Sequence, residues 1–232
     1  MGPVMWPGNL EDLITYTMNG DVSKAHLDML HSSPFCTGIA ASGKNTYYVF
    51  NGYHGYLDWY DFVKRHPDGN NGHGGSIHDD GIARRYSEVR LKRIPNIPSN
   101  MVYDQKKKWL YIADSGHSRI IRVNTEGAKQ VKKLTSFRGD GVLHEYTGAK
   151  IETIVPAGKE LGTPSGMVIY RKTLYVVDNA TSKIHAYGLN GKLVRTLTTS
   201  VSKGAIGGMT VGPDNRLYFT DMRNDRIIRI AP

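Results

Sequence analysis

Tyr111-Ile112-Ala113-Asp114 is an aromatic–aliphatic strand closed by an acid, and the chain repeats it. The copies are Tyr48-Val49-Phe50-Asn51, Tyr175-Val176-Val177-Asp178 and Tyr218-Phe219-Thr220-Asp221. Five residues past each closing Asx stands Tyr56, Arg119, Lys183 or Arg226. An aliphatic residue follows: Leu57, Ile120, Ile184 or Ile227. Upstream, a small-residue turn leads into a second strand at Gly38-Ile39-Ala40, Asn100-Met101-Val102, Gly166-Met167-Val168 and Gly208-Met209-Thr210. Self-similarity in a fixed order is the signature of a repeat architecture.

The physical logic is a set of antiparallel sheets. Alternating side chains bury both faces of each sheet between neighbours. The Asx side chain bonds the backbone N–H groups of the turn it opens and fixes the strand reversal. The small residue ahead of the first strand permits close backbone packing. With these residues in view, the pattern resembles the NHL repeat over residues 34–61, 98–124, 164–188 and 207–230, about half the chain. The resemblance implies an all-β fold, a β-propeller with four recognisable blades in one domain spanning 1–232. It does not imply an activity, because many activities share the fold.

The closing Asx residues stand at 51, 114, 178 and 221. A bare four-stranded blade takes about 40–45 residues. The first two blades therefore carry extra chain. With strands a to d in order, repeats span 34–93, 94–163, 164–204 and 205–232. The first extra stretch, 62–81, falls in the c–d hairpin of blade one, whose strand d is Ile82 to Val89. The second, within 125–162, falls around the c–d hairpin and outer strand of blade two. Blade four ends after its strand c, and residues 13–18 supply a spare strand to close the ring. The alternative is a larger propeller of five or six blades, of which this chain is a part.

Composition narrows the class. The 232 residues include 26 Gly and are 39% hydrophobic, which suits short strands and tight turns. No apolar run is long enough to span a membrane. The single Cys36 excludes a disulfide framework and a Cys-based zinc site. No leader is evident at the N-terminus; if one was lost with a preceding piece, the likeness below to secreted propellers points to an extracellular or periplasmic location. The net charge of +9 leans toward anionic partners. Its basic groups (Arg84-Arg85, Lys92-Arg93, Lys106 to Lys108, Lys132-Lys133) are spread around the rim without interleaved aromatics. That argues for edge protection and against nucleic acid.

Two groups of histidines carry metal-ligand chemistry. In a propeller the b–c and d–a loops share one face. His31 lies in a d–a connection, while His54 and His117 hold equivalent b–c turn positions in neighbouring blades. Three imidazoles can hold zinc or copper with an open position. Thr181 and Asn224 hold the same position in the other blades, so a plain turn role is the competing reading. The second group is His66, His73, His78 and Asp80 in the insertion, on the opposite face. His with carboxylate suits zinc or copper, and Asp68 and Asn70 with backbone oxygens suit calcium. A solvated Gly-rich hairpin without an ion is the competing reading. Tyr53 and Tyr56 flank His54 and are candidate ligand contacts.

The expected function is a ligand-binding or protein-interaction module, with a small molecule or protein at one propeller face. A metal-dependent enzyme is the first alternative. Peptidyl-hydroxyglycine amidating lyases share NHL-like repeats and hold zinc by His at the start of strand a, but the matching positions here are Gly38, Asn100, Gly166 and Gly208. Lactonase-like propellers use acidic and Asn ligands, and no full set is found. RNA binding, as in some NHL domains, is the second alternative. A looser likeness to secreted NHL propellers with a His/Gly/Asp-rich insertion brings no settled activity.

Overall fold

The aromatic–aliphatic runs form strands because β-branched and aromatic side chains pack well on a pleated surface buried on both faces. A computed structural model describes residues 4–5, 28–63, 81–136, 141–158 and 160–230. Two short strands come first, β1 (Val4–Met5) and β2 (Asp28–Met29). The first repeat contributes β3 (Ile39–Gly43), β4 (Thr46–Asn51), β5 (Tyr56–Asp61) and β6 (Ile82–Tyr86). The second contributes β7 (Met101–Asp104), β8 (Trp109–Asp114) and β9 (Arg119–Asn124). Then follow β10 (Lys129–Leu134), β11 (Val142–Thr147) and β12 (Lys150–Val155). The third repeat is β13 (Pro164–Tyr170), β14 (Thr173–Asp178), β15 (Lys183–Gly188) and β16 (Leu193–Thr198). The last is β17 (Ile206–Val211), β18 (Leu217–Asp221) and β19 (Arg226–Arg229). The fold is all-β, and it includes antiparallel four-stranded sheets of the propeller type beside a six-stranded and a three-stranded one.

The chain divides into two compact units. Unit 1 comprises Met1–Cys36, Ala41–Arg90 and Ala128–Gly148. Unit 2 comprises Thr37–Ala40, Leu91–Gly127 and Ala149–Pro232. Unit 2 holds the sheets β12-β9-β8-β7, β13-β14-β15-β16 and β17-β18-β19. Its first strands are knitted by backbone bonds: Ser99 N–H donates to Thr37 O at 2.9 Å and Asn100 N–H to Ser165 O at 3.0 Å. Ser165 Oγ donates to Gly207 O at 3.0 Å. The small residue at the head of strand a is there for contact: a Cβ on Gly38 would meet Ser99 O at 1.9 Å, and one on Gly166 would meet Gly207 O at 2.5 Å. The core gathers Tyr111, Ile120, Leu161, Leu174 and Val176. Each such side chain is worth about 1.5–3 kcal/mol on full burial.

Three of the four closing Asx residues accept a backbone N–H of the turn they open, and Asp114 accepts from Lys92 N–H at 2.9 Å instead. Asn51, Asp114, Asp178 and Asp221 are all buried. Asn51 Oδ1 accepts from His54 N–H at 3.1 Å, and Asp178 Oδ1 from Ala180 N–H at 3.1 Å. Asp114 Oδ2 takes Arg119 Nε at 2.8 Å, and Asp221 Oδ2 takes Arg226 Nε at 3.0 Å. The residue five past the Asx is thus a cation wherever the Asx is charged; Arg119 and Arg226 bond their acid, and among the described residues Lys183 makes no such bond with Asp178.

Unit 1 differs from the sequence expectation. Its sheet has six strands, in the order β10-β11-β6-β5-β4-β3. The hairpin β10–β11, expected around the outer edge of the second blade, instead extends the first. Strand β11 runs parallel to β6, with Leu143 opposite Ala83 and Glu145 opposite Arg85. The outer strand of the second blade is β12, paired with β9. Two features draw the hairpin over: Leu143 enters the apolar cluster of Val49, Tyr60, Phe62 and Ala83, and Glu145 hydrogen-bonds Ser87. Strand β6 is therefore not an edge. The exposed edge is β10, which carries Lys129, Lys132 and Lys133, the usual charged guard of an open strand. The β17-β18-β19 sheet has three strands, and the expected closing strand at 13–18 lies outside the described residues.

Candidate functional site

A polar network sits in the middle of the unit 1 sheet. Asp58 interrupts the apolar strand β5, and Arg85 lies opposite it on β6. Arg85 Nε donates to Asp58 Oδ1 at 2.9 Å and Nη2 donates to Oδ2 at 3.0 Å. Nη2 also reaches Ser32 O at 2.8 Å. Ser33 Oγ donates to Asp58 Oδ2 at 2.7 Å and lies 2.7 Å from Tyr60 Oη. Asn51 Nδ2 donates to Asp58 Oδ2 at 2.8 Å and to Ser32 O at 2.9 Å. A buried charge is tolerated when it is paired and its remaining sites are bonded, and here both conditions hold. The network ties the 30–36 loop to strands β4, β5 and β6.

Above the network lies a cavity of about 480 Å³, within the range of small-molecule sites. One wall is the 30–36 loop, with His31, Ser32, Pro34 and Phe35. A second is the β4–β5 turn, with Tyr53 and His54, and Arg85 rises between them. The β10–β11 hairpin closes the far side with Thr135, Ser136 and Leu143. Tyr53 N–H donates to Pro34 O at 3.1 Å and joins the two loops. Aromatic contacts order the mouth. Tyr53 meets His54 edge-on at 4.8 Å, and His54 stacks on Tyr56 at 5.8 Å and 7°. Burial against these neighbours lowers the His54 pKa below its ordinary value, and the Arg85 charge lowers it further, against a smaller opposing pull from Asp58. The imidazole is thus neutral at pH 7, with one ring nitrogen a donor and the other an acceptor.

The structure brings His31 and His54 to this one cavity. His117 lies in unit 2, in a 3-10 turn at Ser115–His117, where Nδ1 is 2.8 Å from Asp114 Oδ2. Tyr53 lines the cavity. Tyr56 is not among the described lining residues; its ring stacks on His54, and the Arg90 guanidinium lies 4.7 Å from its centroid. His66, His73, His78 and Asp80 lie outside the described residues, in the connection between β5 and β6. Among the described residues, no three of His, Cys, Asp and Glu are grouped so as to hold a metal ion. Among them too, no helix is long and apolar enough to cross a membrane.

Arg85 and Asp58 are the residues that sequence reasoning missed. Arg84-Arg85 reads as an edge-protecting basic pair, yet both side chains are engaged. Arg84 lies 4.4 Å from the Trp59 ring centroid and 5.0 Å from that of Tyr146. The signal was Asp58 itself, an acid in the middle of Leu57-Asp58-Trp59-Tyr60, which demands a partner once the strand is buried.

All-β sheets of the propeller type are also what known structures return. The chain is similar to a streptogramin B lyase, with TM-score 0.55 and 14% identity over 88% of this chain and 54% of that one. It is similar to a catalytically inactive virginiamycin B lyase from Staphylococcus aureus solved with quinupristin, with TM-score 0.52 and 14% identity over 88% and 55%. It is similar to an auxiliary nutrient binding protein from Bacteroides ovatus, with TM-score 0.55 and 13% identity over 93% and 52%. These likenesses are of fold, and the chain spans about half the length of each of these structures. No family model matches the sequence, and no curated protein matches it.

Proposed function

We propose that the chain is an NHL-type propeller acting as a small-molecule-binding module, with the unit 1 cavity as its site. The observation that carries this reading is the cavity's construction. A buried hydrogen-bonded network holds Arg85 in its wall, while a pair of exposed aromatic rings stands at its mouth. Pockets that combine apolar walls with a few fixed polar groups are the usual form of a ligand site. The similarity in fold to an auxiliary nutrient binding protein and to streptogramin B and virginiamycin B lyases agrees with a binding or enzyme-like propeller and goes no further.

A thermal-shift screen of a fragment library tests the reading. Hits that stabilise the chain and are lost in Tyr53→Ala support it. A screen without Tyr53-dependent hits overturns it. A divalent metal (zinc, copper or calcium) held by His66, His73, His78 and Asp80 is proposed separately, on the chemistry of those side chains alone. Elemental analysis of the purified chain beside a variant with the three His changed to Ala tests it.

A further inference from the structure

The contents of the cavity set the chemistry of its ligand, given the reading of it as a ligand site. Its mouth carries exposed aromatic surface. Phe35 is 59% exposed and Tyr53 66% exposed. Their rings face each other at 6.3 Å and 25°. Phe35 holds a left-handed backbone conformation, φ 54°, which is uncommon for a bulky side chain. Strain of this kind persists only where the surroundings enforce it. The Tyr53 N–H to Pro34 O bond supplies that enforcement by fixing the two loops together. The result is a preformed platform on which a flat ring stacks without ordering new chain.

The Arg85–Asp58 pair on the polar side of the cavity is balanced in charge. Among the described lining residues Arg85 is the only Lys or Arg, and Asp58 already matches it edge to edge. Nη1 is the one guanidinium nitrogen without a hydrogen bond among the described residues. It offers a donor, not an unmatched charge. A ligand carboxylate would bring a second negative charge near Asp58 and lose its water for one bond. A carbonyl oxygen accepts the same N–H without that cost. The hydroxyls of Thr135 and Ser136 and the neutral imidazole of His54 add further uncharged partners.

We propose that the cavity takes an uncharged, planar aromatic molecule bearing a carbonyl, its ring stacked on Tyr53 and Phe35 and its carbonyl accepting from Arg85 Nη1. This deepens the small-molecule reading above and rests on it.

Three probes test it by isothermal titration against the whole chain. Methoxycoumarin is uncharged and planar with a ring carbonyl. Coumarin carboxylate adds the negative charge, and methoxynaphthalene keeps the ring and lacks the carbonyl. The expected result is binding of methoxycoumarin about tenfold or more tighter than either comparator. Tyr53→Ala should weaken it by a similar factor with an unchanged melting temperature. Tighter binding of the carboxylate or equal binding of the naphthalene overturns the ligand class. If either is lost in Tyr53→Ala, the cavity reading survives. Methoxycoumarin binding that ignores Tyr53→Ala overturns the assigned site. Failure of all three probes overturns the ligand class, and the fragment screen then decides the cavity reading on its own.

Discussion

Asp58 accepts both edges of Arg85, Nε at 2.9 Å and Nη2 at 3.0 Å, and in doing so it moves an ion pair away from where the repeat ordinarily puts it. In the second and fourth repeats the acid closes strand b and takes the cation five residues later, as Asp114 does with Arg119 and Asp221 with Arg226. In the first repeat the closing residue is the neutral Asn51. The acid stands seven residues on, at Asp58, with its cation on the next strand. The same two charges therefore lie under the cavity instead of in the turn. The neutral turn is then free to present Tyr53 and His54.

Removing one partner tests how far the pair is sealed. Asp58 is fully buried and the Arg85 side chain is only 12% exposed. Asp58→Ala leaves a guanidinium in the sheet with Ser32 O as its remaining bond and leaves Ser33 Oγ with Tyr60 Oη alone. Breaking a buried pair in this way costs about 3–5 kcal/mol. The double variant Asp58→Ala with Arg85→Leu should recover part of that, since no lone charge remains. Urea unfolding followed by far-ultraviolet circular dichroism measures both. A loss under about 1 kcal/mol in the single variant would mark the pair as solvent-screened.

His185 gives unit 2 a sensitivity to acid. It is buried, its Nδ1 is 3.0 Å from Thr196 Oγ1, and its Nε2 stands 4.0 Å from Asp178 Oδ2. Burial lowers its pKa below the ordinary value of 6.5, outweighing the opposing pull of Asp178. The contact with Asp178 is thus not an ion pair at neutral pH. The folded value is below the unfolded one, so the contribution is fully present above pH 6.5. It is lost as pH falls below that, because the unfolded chain takes up a proton that the folded one refuses. The slope approaches about 1.4 kcal/mol per pH unit where the two states differ by a whole proton. Unfolding free energies between neutral and mildly acidic pH should fall less steeply in His185→Gln than in the natural chain.

The blade plan was legible because each repeat states it locally. An aromatic run closed by an Asx at fixed spacing needs no knowledge of distant chain, and Asn51, Asp178 and Asp221 close their turns as read, whereas Asp114 accepts the backbone N–H of Lys92 instead. The small residues at Gly38 and Gly166 were legible for the same reason. The β10–β11 hairpin was not. Its docking depends on Leu143 and Glu145 meeting Ala83 and Ser87 about sixty residues away, and a parallel pairing at that distance leaves no mark in the local pattern. The cavity inherits that blindness. His54 and Tyr53 were readable from the turn, whereas Thr135, Ser136 and Leu143 come from the hairpin.

Asp178 should be the most costly of the turn closers in unit 2. Its Oδ1 accepts from Thr163 N–H at 2.8 Å and from Ala180 N–H at 3.1 Å. Its Oδ2 accepts from Gly162 N–H at 3.1 Å and from Thr181 Oγ1 at 2.7 Å. One carboxylate thus staples the chain entering β13 to the β14–β15 turn. Asp178→Ala leaves several donors unpaired in a buried place, at about 1–3 kcal/mol for each that water cannot reach. Thr181→Ala removes a single bond and should cost about 1 kcal/mol. Equal losses in the two variants, measured by urea unfolding, would show that the staple is not what holds the loop.

Gly141 decides whether the hairpin can dock at all. It has φ +62°, a conformation that residues with a side chain seldom adopt. A Cβ there would fall 1.8 Å from Gly81 O, the same oxygen that accepts from Val142 N–H at 2.9 Å. Relief requires β11 to move away from β6, which breaks the parallel register that begins at Val142 and Ile82. Gly141→Ala should therefore cost more than the roughly 1 kcal/mol of an ordinary backbone mismatch. It should also raise amide exchange across Val142 to Glu145 and weaken any ligand of the cavity, because Leu143, Thr135 and Ser136 move with the hairpin. The antiparallel pairing of β4 with β5 should keep its protection. Exchange that rises equally over β4 and β11 would mean that the hairpin and the first blade open as one.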